Sequence, residues 1–440
     1  MSYRELLRVR DYRLLFSGQV LSQVGDAIYE VGIVWLVYRM SSSAAALGAL
    51  ALCQSVPFLV LGLVAGAYAD RWDRRVTMMV SDGVRGLAVL YLALRFVFGE
   101  LSVGEVCGVA VVLTAARAFF HPAMRAMFPQ VLGRERLLLA NSLSEGAKRV
   151  CKVGGMMLGG LLMAWSAGSA VLWVNAGSFF LSLWTVWLIG SRRGRMGSTT
   201  GMSSAREGAE KEPASASPVR EKRSVLRDIF AAGQAILAEK GVFVAILLSS
   251  VGLVVATGFI KVGLPLLAGD VLQAEGDVYG LLMACFSVGM FVSAAMMKRL
   301  ARVPIVGLVA LGWLIYGLMY VLIAGISSLG ASWTEVHGWL WNPALWVVVP
   351  AVGVVGFAHF LTDVPVTALI QQRMPMERMS GCQSVWATAS FGSESMGVGL
   401  AGVVLAGVPL LGGFAGAGVL LAMLGAVPFV IFRKRWAKCS

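Results

Sequence analysis

The feature that most limits what this chain can become is a recurrence of apolar runs, each about twenty residues or longer. They lie near residues 14–39, 46–69, 76–98, 104–124, 141–164 and 168–190, and again near 241–268, 278–297, 304–327, 344–366, 381–407 and 409–432. At ~1.5 Å of rise per residue, a helix of ~20 residues crosses the hydrocarbon core of a bilayer. Lipid offers no partner to a backbone N–H or C=O, so such runs fold as helices that satisfy their own groups. Composition agrees: 58% of the residues are hydrophobic, only 14% are charged, and the mean hydropathy is +0.77. The expected fold class is an all-α membrane protein of twelve transmembrane helices, in two pseudo-symmetric six-helix bundles.

The excess of 37 Lys+Arg over 24 Asp+Glu would suit a nucleic-acid partner, but its distribution points to a membrane instead. With the N-terminus placed in the cytoplasm, the inner loops and ends hold Arg71, Arg74 and Arg75; Arg125, Arg134 and Arg136; Lys298, Arg299 and Arg302; Arg373 and Arg378; and Arg433, Lys434, Arg435 and Lys438. The outer loops hold none; Arg39 and Arg95 lie at outer helix ends. Positive charge on alternate loops sets orientation, so both termini are read as cytoplasmic in a multi-pass protein of the cell membrane. Arg4, Arg8, Arg10 and Arg13 precede the first run without a cleavage site, which makes that run a retained span. The six cysteines fall mostly inside apolar runs without metal-ligand spacing and read as small packing residues.

A polar stretch from Ser191 to about Arg223, rich in Ser, Gly, Ala, Lys, Arg and Glu, divides the spans into two sets of six. Such a composition buries too little apolar surface to fold alone. The expected organisation is an N-terminal bundle over 1–190, a cytoplasmic linker over 191–240 and a C-terminal bundle over 241–440. Val225, Ile229, Phe230, Ile236 and Leu237 recur at helical spacing opposite Arg227, Asp228 and Gln234. That pattern fits either a short amphipathic helix on the cytoplasmic surface or an extension of the seventh span.

An internal repeat relates the halves. Residues 126–143 (AMFPQVLGRERLLLANSL) align without gaps to 368–385 (ALIQQRMPMERMSGCQSV), with five of eighteen positions identical at an offset of 242. Gly155 and Gly160 meet Gly397 and Gly402 at the same offset. Six spans per repeat leave both halves in one orientation, related by an axis along the membrane normal.

Between the second and third spans, Gly66-Ala-Tyr-Ala-Asp70-Arg71-Trp-Asp-Arg74-Arg75 resembles motif A of the major facilitator superfamily, with Asp73 where that family usually has glycine. Arg13 and Leu14 to Asp26 at the start of the first span, and Pro122 to Pro129 followed by Glu135, Leu137, Ala140-Asn141 and Leu143, narrow the resemblance. They look like the twelve-helix drug:proton antiporters that include macrolide-efflux proteins and the enterobactin exporter. The fifth span departs from that pattern: Gly155-Met156 stands where Gly-Pro is usual. The resemblance implies secondary transport by two rocking halves, with the first and seventh spans lining a central cavity. It also implies export of a hydrophobic or amphipathic small molecule in exchange for protons; a siderophore exporter, a lysophospholipid flippase and a transport-inactive sensor are the alternatives. Asp70, with Gly66, Arg71, Arg74 and Arg75, would form a cytoplasmic gate against the start of the eleventh span, whose positive dipole end attracts an anion. Arg117 resembles the arginine of motif B, though the glycine usually following it is absent.

Ionisable groups within spans are costly and mark function. Asp26 lies ~18 Å into the first span, and Glu30 is one turn further on the same face. Glu30-Val31-Gly32 can be laid on Lys261-Val262-Gly263 of the seventh span, and Lys152 answers Glu394 at offset 242. The proton-coupling candidates are therefore Asp26, Glu30, Lys261, Arg117 and Glu394; a permanent ion pair holding helices together is the competing reading. Lys148, Arg149 and Lys152 have long stems able to snorkel to the headgroups. Most tryptophans suit an interfacial belt, whereas Trp35 and Phe391 are candidates for the cavity wall. His121, His337 and His359 share no metal spacing, and no Gly-Lys-Ser/Thr loop points to ATP. The expectation is a non-enzyme with no catalytic or metal site and no cofactor beyond the proton gradient. Its expected partners are a small-molecule substrate and the lipid bilayer, with no nucleic acid, and it is expected to act as a monomer.

Overall fold

The computed structural model describes residues 3–69, 72–99, 101–132, 136–166, 168–190, 225–274, 276–300, 303–337 and 343–436. Asp70 and Arg71 of the motif, Arg134, Arg302, Lys438 and the linker from Ser191 to Arg223 lie outside these residues. Every regular element among them is a helix. A short α1 (Tyr3–Arg8) precedes six long helices: α2 (Arg10–Ser41), α3 (Ala44–Ala69), α4 (Arg74–Val97), α5 (Val103–Leu132), α6 (Leu137–Ser166) and α7 (Ser169–Gly190). After the linker come α8 (Val225–Ala238) and six more: α9 (Lys240–Val271), α10 (Gly276–Leu300), α11 (Ile305–His337), α12 (Pro343–Arg373), α13 (Met376–Gly407) and α14 (Leu410–Trp436).

Local chemistry sets the ends of these helices. Ser102 and Glu105 form a reciprocal capping box at the start of α5, the Glu105 N–H donating to Ser102 Oγ (3.2 Å) and the Ser102 N–H to Glu105 Oε2 (2.8 Å). Asp73, where glycine is usual, caps α4 by accepting the Val76 N–H at 2.9 Å. Ser42 closes α2 in a left-handed conformation, φ 45°. Over their described residues nine of the twelve long helices are apolar and long enough to cross a membrane, and two more contain the shorter apolar stretches Ala44–Phe58 and Leu410–Ala426. The twelfth, α6, is diluted by Lys148, Arg149 and Lys152. Apolar side chains such as Leu87, Val403 and Trp346 are openly exposed, as a lipid-facing belt requires.

Packing repeats between the halves. In the first, α2 packs on α6, α3 on α5, and α4 on both α5 and α7; in the second, α9 packs on α13, α10 on α12, and α11 on both α12 and α14. The halves join through α3 against α13 and α6 against α10. Two glycine pairs set the closeness of these joints. A Cβ added to Gly48 would lie 3.0 Å from the Gly402 Cα, and one added to Gly160 would overlap the Gly280 carbonyl. The helix α8 is separate from α9, broken at Glu239 (φ −96°, ψ 91°), and packs on α13 with Ile236 buried. Of the two readings of this segment, a distinct short helix is the one the fold contains.

Candidate functional site

The site is built on one face of α2. Gln19, Gln23, Asp26 and Glu30 fall at helical spacings of four, three and four residues, so they form a polar stripe down a buried helix. At its far end Lys261 Nζ lies 3.1 Å from Glu30 Oε1. The two side chains are 34% and 35% exposed, which places the pair on the wall of an open space and not in a dry core. Among ion pairs between described residues, this is the one that joins the halves. Lys261 stands in a π-helical turn, Phe259–Gly263, and a second π turn follows at Leu267–Val271. Such turns are uncommon and gather at functional positions.

One turn earlier, Asp26 meets a partner from an unanticipated direction. Arg85 of α4 approaches it at 3.8 Å and also pairs with Asp82, three residues before it on the same helix. Ser182 of α7 donates to Asp82 Oδ2 at 2.7 Å. The Arg85 guanidinium is sandwiched between the rings of Phe120 and Phe179, at 4.6 and 4.4 Å from their centroids. Asp82 and Arg85 are both buried. Neither was a candidate from sequence, yet the signal was present: an Asp and an Arg at i, i+3 inside a 24-residue span.

The other candidates line the same space without closing on it. Arg117 is exposed, and its Nε donates to His121 Nε2 (3.2 Å) instead of pairing with a carboxylate, although its charge is within electrostatic reach of Asp26 and Glu30. Glu394 is within reach of Lys261. Lys152 and Glu394, expected to answer each other across the cavity, make no ion pair among the described residues. No group of three or more metal-ligating side chains occurs among the described residues, His359 and Asp363 included.

One end of the space is sealed. Trp35 stacks on Tyr279 (5.4 Å, 15°), and the Tyr38 hydroxyl donates to Asp270 at 2.7 Å, each contact crossing between halves. Trp35 is thus buried in a seal, not displayed on a cavity wall, because the α2 and α10 faces meet there. Phe391 is half-buried against Phe58, 5.3 Å away, where α3 and α13 meet near mid-span. At the opposite, basic end, partners come from within each half. Arg74 donates to the Ala126 carbonyl (3.5 Å), Arg75 to the carbonyls of Val186 (3.1 Å) and Trp187, and Arg373 reaches Glu239 at 3.9 Å. Among the described residues Arg74 and Arg75 thus make no ion pair across a gate; they are turned onto α5 and α7. Gly66 lies in the last part of α3.

The Major Facilitator Superfamily profile matches residues 15–398. The multidrug efflux pump Tap of Mycolicibacterium fortuitum is 33% identical over 177 residues, 39% of this chain and 43% of Tap. Macrolide efflux protein A of Streptococcus pyogenes is 26% identical over 148 residues, 34% of this chain and 36% of that protein. The chain thus spans less than half the length of these curated relatives. Among solved structures, a bacterial homologue of the iron transporter ferroportin in an inward-facing state superposes with a TM-score of 0.66 at 14% identity, covering 96% of this chain and 98% of that one. A bacterial homologue of the human lysosomal transporter Spinster, inward-facing and unoccupied, gives 0.62 at 14% identity, covering 98% and 96%. At such identities the likeness is one of fold. A profile match over most of the sequence, a repeated helix packing in two halves and a polar seam between them agree: this chain belongs to the Major Facilitator Superfamily of membrane transporters.

Proposed function

We propose that the chain is a secondary exporter of amphipathic small molecules, driven by exchange for protons at the carboxylates of α2. The observation that carries this reading is the Glu30–Lys261 pair, which joins the halves in mid-span and stays accessible from the cleft. An ion pair of this kind is the arrangement expected once a proton has left. Protonating Glu30 removes the charge that holds Lys261, and with it one restraint on the movement of the halves; Asp26, one turn away, is the second carrier. The basic end, where the cleft opens, is cytoplasmic by the distribution of Lys and Arg, so cargo enters from inside. In the opposite state Asp70 docks on the start of α13, with Gly66, Arg71, Arg74 and Arg75 completing the gate. The two drug-efflux relatives support amphipathic cargo, as do the aromatic rings of Phe58 and Phe391. One chain carries both halves and works as a monomer on the proton gradient alone.

The test is substrate-linked proton flux in proteoliposomes across a panel of drugs, siderophores and lysophospholipids, comparing the wild type with Asp26→Asn and Glu30→Gln. Loss of proton movement in one carboxamide variant that remains folded identifies the carrier. Transport by the wild type without proton movement would sink the antiport mechanism and leave a facilitator.

A further inference from the structure

Between α2, α5 and α6 lies a small pocket of about 30 Å³, room for about two water-sized groups. Its polar wall consists of Gln19, Gln23, His121, Arg125, Ser144 and Lys148. Gln19 is only 7% exposed, and its Nε2 has no hydrogen-bond partner; Gln23 Oε1 is likewise buried and unpartnered. A buried amide left unpaired costs stability unless something occupies the space beside it. The donors dominate. Because His121 Nε2 accepts from Arg117, the imidazole proton sits on Nδ1, adding a donor to those of Gln19, Arg125 and Lys148.

A pocket with an unsatisfied buried donor, rimmed by two cations that also hold other partners, is matched by a small anionic oxygen group. The pocket also stands at the head of the polar stripe that leads through Asp26 to Glu30. In the wall beyond it Arg117, Arg149 and Lys152 are exposed while the carboxyl groups of Asp26 and Glu30 are engaged by Arg85 and Lys261, which disfavours a lipophilic cation. We infer that this pocket is a subsite for the acidic head of the cargo, and that the transported class is amphiphiles bearing a carboxylate or similar anion, with the apolar body lying in the cleft. The inference rests on the exporter reading for the word cargo, but the binding it describes is measurable without transport.

The test is equilibrium binding to the full chain in lipid nanodiscs, with empty discs as the partition control. Two matched fluorescent probes are used, dansyl-undecanoate and the amine-terminated dansyl-undecylamine. The acid is expected to bind saturably and the amine at least about tenfold more weakly. Gln19→Leu and, separately, the exposed Lys148→Gln should each weaken the acid by about tenfold, the loss expected for one hydrogen bond to a charged group, without changing the amine. Thermal unfolding checks that each variant is folded, and Lys148→Gln serves if Gln19→Leu is not. Equal or tighter binding of the amine, acid binding unchanged in the folded variants, or no saturable binding of the acid would each overturn the inference. If the acid binds and responds as stated but is not moved across proteoliposomes, the subsite stands and the exporter reading fails.

Discussion

Two charged clusters lie one turn apart on α2 and differ in almost every physical respect. Glu30–Lys261 is a simple pair, about one-third exposed, made between halves. Asp26–Arg85–Asp82 sets two carboxyl groups around one guanidinium, with Arg85 nearly inaccessible, clamped by two rings and contained within one half. An accessible pair is weak and easily exchanged for water, proton or substrate, whereas a desolvated one is costly to disrupt because the abandoned partner keeps its charge without solvent. The first is built to open during a cycle. The second fixes α4 against α2, α5 and α7 and presents Asp26 at the edge of the cleft.

Ordered by their cost to stability, three single substitutions, the first with a compensating double variant, test that contrast. Arg85→Ala strands Asp82 in a buried site and should destabilise the protein by about 3–5 kcal/mol, read as a lower unfolding midpoint in detergent. Replacing the pair together, Arg85→Met with Asp82→Leu, should restore most of the loss, and a double variant as unstable as the single one would show that the network matters beyond its charges. Ser182→Ala removes one hydrogen bond to Asp82 and should cost about 2 kcal/mol in the same assay, with transport kept once the protein is folded. Glu30→Gln should cost less than about 1 kcal/mol, given the exposure of the pair. It should nevertheless lower proton-linked flux by more than about tenfold. A variant strongly destabilised but still coupled would reverse the roles assigned to the two clusters.

Much of this architecture was legible in the sequence, since the bounds of a membrane helix follow from apolar length and the loops from charge. All twelve long helices fall within several residues of the expected runs at most ends; the basic ends of α5 and α12 run further, and α11 continues to His337, through residues expected to form an outer loop. The stripe of Asp26 and Glu30 and the partnership of Glu30 with Lys261 were legible too, because ionisable groups stand out in apolar runs and Glu30-Val31-Gly32 can be laid on Lys261-Val262-Gly263. Asp82 and Arg85 were less legible because opposite charges three residues apart on α4 offset each other, leaving the run apolar on average. The π turn around Lys261 has no local signature; it depends on how α9 packs against its neighbours. Trp35 was misplaced for a related reason: an aromatic ring on an inner face suits a cavity or a seal equally, and only the partner, Tyr279 from the other half, decides.

The glycine pairs at the two joints bear on how such a molecule moves. Where Gly48 meets Gly402 and Gly160 meets Gly280, backbone rests on backbone with no side chain between. Surfaces of interdigitated side chains resist relative rotation, since every rotamer in the joint must change as they turn. Where glycine crosses glycine there are none to change, so these two points act as a pair of bearings on which the halves pivot with little friction, and any substituent larger than hydrogen would be grit in them.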